Sequence, residues 1–107
     1  MYINQYIANH NEEFRFLCQT YKVNTLYPLG SSTRLDFNPL ASDIDLLVII
    51  DEEGPIERGN LLLGIWAKME TFFNRKVDLL TFDSMRNPIL RKAVDRDKVK
   101  IYDRAND

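Results

Sequence analysis

The stretch "PLGSSTRLDFNPLASDIDLLVII", Pro28 to Ile50, decides the fold and raises the functional question. Its second half, "DIDLLVII", is the strongest strand signal in the chain, rich in β-branched and apolar residues and closed by the polar "DEEGP". Side chains alternate across a strand, so Asp43 and Asp45 are expected on one face and Ile44, Leu46 and Val48 on the other. Their Cα atoms would lie roughly 6.5–7 Å apart at the rise of a strand. Two carboxylates held like that repel each other unless a cation lies between them. Hard divalent ions such as Mg²⁺ take oxygen ligands, commonly one or two carboxylates together with substrate phosphates.

Working outward, a third acid stands in "KVDLLTF", where Asp78 lies between Val77 and Leu79 in another short apolar strand. An unpartnered acid there would be costly. If this strand lies beside "DIDLLVII", three carboxylates meet on one sheet face. Such a set could hold two metal ions about 3.5–4 Å apart, the separation used in in-line phosphoryl chemistry. Upstream, Gly30-Ser31 ends the strand "VNTLYPL". A glycine there lets the backbone approach a phosphate, and a helix starting at Ser31 would point N–H groups at it. The Ser31 hydroxyl could add a hydrogen bond and Arg34 a positive charge. Each feature has a plain structural alternative: Asp43 could open the strand from a solvated loop, Asp45 could face water, and Asp78 could pair with Arg75 or Lys76. Gly-Ser alone is a common turn. The conjunction, in this order, is what points to a nucleotide and metal site.

The rest of the chain frames this motif. Ile3, Ile7, His10, Phe14, Leu17 and Tyr21 recur at helical spacing and predict one amphipathic helix from about Tyr2 to Tyr21, with His10 partly buried in the stripe. Pro55 opens a second long helix with Leu62, Trp66, Met69 and Phe73 as its core stripe. Asn38-Pro39 marks a loop, Asn87-Pro88 starts a short helix running to about Asp95, and "KVKIYD" reads as a closing edge strand. At 107 residues, the chain is expected to be a single α/β (α+β) domain spanning residues 1–107.

Composition narrows the function. The net charge is -2 and the pI about 5.4, so global charge gives no reason to expect direct nucleic-acid binding. The basic residues Arg86, Arg91, Lys92, Arg96, Lys98, Lys100 and Arg104 crowd the last quarter and are read as a solvated face. Cys18 is the only cysteine and falls on the apolar side of the first helix, which suits a buried thiol in a reducing compartment. No signal-type segment or membrane-length apolar run is visible, so a cytoplasmic protein without a membrane partner is expected.

At "LGSSTR", "SDIDLLV" and "KVDLLT" the chain resembles the minimal nucleotidyltransferases of the DNA polymerase β-like superfamily, and the resemblance covers nearly its whole length. It implies a polymerase β-like nucleotidyltransferase fold, with a small mixed sheet of about four strands flanked by helices. It further implies Asp43 and Asp45 as metal ligands and Asp78 as third ligand or general base. Gly30, Ser31 and Arg34 would bind the nucleotide, with Mg²⁺ (two ions, or Mn²⁺ as the alternative) and ATP as the substrate. Proteins of this kind are often encoded beside a small helical HEPN-type ribonuclease toxin, and characterised pairs act as antitoxins that transfer AMP to the toxin. The resemblance therefore implies such a toxin as partner and a hydroxyl of it as acceptor. The alternative is a binding module that neutralises a partner by contact and keeps a relic site. Two departures from the family pattern stand in the loop: eleven residues separate Ser31 from Asp43, one more than the commonest spacing, and Leu35 replaces a frequent glycine.

Overall fold

The computed structural model describes residues 2–29, 43–81 and 100–106. Gly30, Ser31, Arg34 and Leu35, the expected turn at Asn38-Pro39 and the expected helix from Asn87 lie outside the described residues. So do the basic residues Arg86, Arg91, Lys92, Arg96 and Lys98.

The described chain runs α1 (Tyr2–Asn9), α2 (Asn11–Thr20), β1 (Val23–Leu29), β2 (Ile44–Ile50), α3 (Pro55–Phe73), β3 (Val77–Leu80), β4 (Tyr102–Asp103) and a 3₁₀ turn over Arg104–Asn106. The described strands form one mixed sheet in the order β3-β2-β1-β4, so β3 and β4 are its edges among the described residues. β1 pairs antiparallel with β2 and β4, and β2 pairs parallel with β3. A parallel pair needs a crossover, which α3 supplies.

Alternation along the strands divides the sheet into two faces. Leu26, Ile44, Leu46, Val48, Val77 and Leu79 join Ile3, Ile7, Phe14, Cys18, Ile65, Met69, Phe72 and Phe73 in one buried cluster. That cluster fixes the helix-covered face. Leu47, with Tyr27, Leu29 and Leu80 against it, lies on the other. A register shift between Val23 and Thr25 brings Val23 round to the helix-covered face as well.

The first helix differs from the expectation. The stripe from Tyr2 to Tyr21 is broken at His10, whose φ of -131° and ψ of 37° are not helical. Asn9, His10 and Asn11 are weak helix formers, while Glu12 and Glu13 suit the positive N-terminal end of a new helix. Ile3, Ile7, Phe14 and Cys18 remain in one core across the break. His10 is exposed rather than partly buried, with its ring 4.8 Å from Tyr6 and 6.0 Å from Phe72 between centroids. Cys18 is fully buried, as its position in the stripe implies.

α3 ends sharply. Asn74 takes the left-handed conformation (φ 54°, ψ 44°), and its N–H donates to the Glu70 carbonyl. Arg75 N–H shares that acceptor at 3.3 Å, so only Asn74, Arg75 and Lys76 separate α3 from β3. Asparagine tolerates this conformation better than most residues. Replacing Asn74 by Val should destabilise the protein by about 1–2 kcal/mol, while Asn74→Gly should leave it near wild type. Urea unfolding midpoints for the two variants check this.

Candidate active site

The sheet places the acids as its register dictates. Asp45 of β2 stands directly opposite Asp78 of β3 across the parallel ladder, flanked by the pairs Ile44–Val77 and Leu46–Leu79. The flanking pairs point into the helix-covered core, so Asp45 and Asp78 share the opposite face. Both are half-buried. The proximity of these two acids, expected only if the strands were neighbours, is therefore present.

Their electrostatics follow from that pairing. Burial, first, raises the pKa of Asp45 above the usual 3.8. The adjacent Asp78 carboxylate, a side-chain hydrogen bond with it, and lastly Asp43 push in the same direction. Like charges this close disfavour ionisation of both carboxyls, and a bound cation would relieve that penalty.

Asp43 stands apart. It precedes β2 rather than lying in it, and its side chain is about half exposed. Its carboxylate lies 3.9 Å from the ammonium of Lys76, which is also largely exposed. Such a contact is weak and easily exchanged. Lys76 thus approaches Asp43 and not Asp78, the partner considered from sequence. Among the described residues no group of three or more His, Cys, Asp and Glu side chains is gathered closely enough to hold a metal ion. The donor set still suits one in kind: Asp45 and Asp78 offer hard oxygen ligands at one point, and Asp43 adds charge beside them.

The backbone around the pair is firmly placed. Ile44 N–H donates to the Lys76 carbonyl at 3.1 Å, which anchors the start of β2 to the start of β3. On the other side Leu29, the last described residue of β1, pairs with Asp45. Gly30 and Ser31 follow it directly in sequence. Trp66 is expected in the core stripe of the second long helix. It is only partly buried, and its indole N–H donates to the Val77 carbonyl at 2.6 Å. Glu70, which sequence reasoning passed over, accepts the Val77 N–H at 3.2 Å. Their i, i+4 spacing just before a short connection to a strand was the only available signal.

Residues 10–103 match the family described as "Nucleotidyltransferase domain". The chain belongs to this family. The mixed sheet with its three described helices is consistent with the polymerase β-like nucleotidyltransferase fold. Two proteins of Methanocaldococcus jannaschii are similar over most of their length. One, named "Putative protein adenylyltransferase MJ0126", is 30% identical over 99 residues, covering 92% of this chain and 94% of its own. The other, named "Putative protein adenylyltransferase MJ1379", is 30% identical over 87 residues, covering 81% of this chain and 85% of its own. No solved structure gives a significant match. Among the described residues no helix is long and apolar enough to cross a membrane.

The basic C-terminal residues that are described are engaged by acids. Lys100 lies 3.2 Å from Asp103, and Arg104 contacts Asp51 at 2.5 Å. The carboxylate of Asp51 also accepts hydrogen bonds from Asn24.

The raised pKa of Asp45 has a definite sign. The folded protein holds the Asp45 proton more tightly than the unfolded chain does, so this group's stabilising contribution is complete below about pH 3.8. It is lost as pH rises through the higher folded value. Without divalent cations, Asp45→Asn should therefore be more stable than wild type at pH 7, by less than about 1 kcal/mol because solvent screens the half-buried pair. The difference should vanish toward pH 3. Thermal melts of both proteins in EDTA across that range measure it.

Proposed function

We propose that the protein is a Mg²⁺-dependent nucleotidyltransferase that transfers AMP from ATP to a hydroxyl of a protein partner. The observation that carries this reading is the pairing of Asp45 with Asp78 across β2 and β3, on the sheet face away from the helices. Packing gains nothing from two adjacent, mutually repelling carboxylates, whereas a divalent cation bound between them would offset their charge. Membership of the nucleotidyltransferase family supports the reaction class. The names of the two M. jannaschii relatives support a protein acceptor.

In this reading Asp43, Asp45 and Asp78 would hold Mg²⁺, with Mn²⁺ as a substitute. The ion would supply charge neutralisation for the triphosphate and for the attacking oxygen. Asp78 takes the proton from the acceptor hydroxyl. The hydroxyl oxygen forms a bond to the α-phosphorus, the bond from that phosphorus to the bridging oxygen breaks, and pyrophosphate leaves with the electron pair. Gly30, Ser31 and Arg34 are assigned to the triphosphate. Leu29 opposite Asp45 supports that assignment, since the Gly-Ser pair continues the chain from there. The partner proposed is a HEPN-type ribonuclease toxin encoded nearby, with the present chain as its antitoxin.

The test is to incubate the protein with labelled ATP, Mg²⁺ and the product of the neighbouring gene. Label should enter the partner, and Asp45→Asn or Asp78→Asn should each lower the rate by at least about 100-fold, as expected for groups that act together in a transition state. Absence of label under all divalent ions would refute the proposal. Equal protection of cells by wild type and an Asp43→Asn/Asp45→Asn variant would show instead that contact alone neutralises the partner.

A further inference from the structure

Among the described strands β3 is an edge strand, and Asp78 is its second residue. An edge strand has one row of backbone N–H and C=O groups with no neighbouring strand to pair them. Lys76 bonds toward β2 through its carbonyl, so the polar groups of the next residue, Val77, point away from the sheet. α3 takes both of them. Trp66 Nε1–H donates to Val77 O at 2.6 Å, and Val77 N–H donates to Glu70 Oε2 at 3.2 Å.

Trp66 and Glu70 stand one turn apart on α3, so one helix face presents a donor and an acceptor to a single extended residue. The Val77 side chain is meanwhile fully buried in the core. Apolar packing is non-directional and resists removal of Val77 from the core more than sliding of the strand along its axis. Hydrogen bonds are directional and resist that sliding. A slip of one residue would turn Asp78 from the site face into the core. Core packing alone needs neither an indole N–H nor a carboxylate at these positions.

We infer that Trp66 and Glu70 are positioning residues of the carboxylate site: by gripping both polar groups of Val77 they hold Asp78 in register with Asp45. They touch no reacting group and act through the backbone. The catalytic consequence rests on the nucleotidyl-transfer reading, while the structural consequence does not.

Trp66→Phe, Glu70→Leu and Glu70→Gln separate these roles. Phe keeps most of the ring packing without the N–H, and Gln keeps an oxygen able to accept the Val77 N–H. Trp66→Phe and Glu70→Leu should each lower kcat for AMP transfer about 10–100-fold, the usual cost of losing an outer partner of a metal site. KM for ATP should stay near wild type, and Glu70→Gln should recover most of kcat. In native-state hydrogen exchange, the Asp78 amide should exchange about tenfold faster in Trp66→Phe and Glu70→Leu, as loss of one hydrogen bond implies. It should stay near wild type in Glu70→Gln. The amides of Leu26 and Val48, in the central strands, should move less and so report global stability separately. Asp78 exchange that rises only in step with Leu26 and Val48, or a Glu70→Gln variant as impaired as Glu70→Leu, would overturn the inference. If wild type transfers no nucleotide, the exchange data decide the inference unaided, so its failure is distinguishable from failure of the transfer reading.

Discussion

Asp45 and Asp78 face each other across two parallel strands, and the mutual repulsion of these carboxylates is the constraint around which the molecule is arranged. Everything that holds β2 beside β3 works against it. Ile44, Leu46, Val77 and Leu79 bury their side chains in one core, and removing any of them from water outweighs a screened repulsion between half-buried acids. The acids are thus forced together by apolar residues that alternate with them along the same strands. Burial first, and the neighbouring Asp78 carboxylate second, raise the pKa of Asp45.

The conflict links fold to function. The proposed cation site needs concentrated negative charge, which the protein alone would disperse if it could. Placing that charge on strand positions whose neighbours are committed to the core prevents such dispersal. α3 contributes twice: its apolar face builds the core beneath the acids, and Trp66 and Glu70 bond to the backbone of Val77. Asp43, outside the strand and beside Lys76, is held far less firmly.

Much of this was legible in the sequence. β1 coincides with "VNTLYPL", α3 begins at Pro55 as its N-terminal signal implies, and β2 starts at Ile44 within "DIDLLVII". Alternation of polar and apolar residues also showed that Asp45 would face away from the core. Two features were not legible. The break at His10 hides because Ile3, Ile7, Phe14 and Cys18 still converge on one core, and apolar periodicity does not register a single non-helical residue. The bonds from Trp66 and Glu70 to Val77 depend on β3 being an edge strand, which is a matter of strand order. Strand order is set by long-range packing, and β3, unlike the lysine-bearing segment that leads into β4, carries no local edge pattern.

The claim on which the account stands is that the Asp45–Asp78 pair is a cation site. The most direct measurement is titration of the isotope-labelled protein with Mn²⁺, following paramagnetic broadening of its amide signals. The account predicts early broadening at Asp43 to Leu46 and at Val77 to Leu79, with Asp51 and Asp103 affected only at much higher concentrations, and loss of the selective effect in Asp45→Asn. Broadening at Asp51 and Asp103 as early as at Asp45 and Asp78, or selective broadening that survives Asp45→Asn, would contradict it.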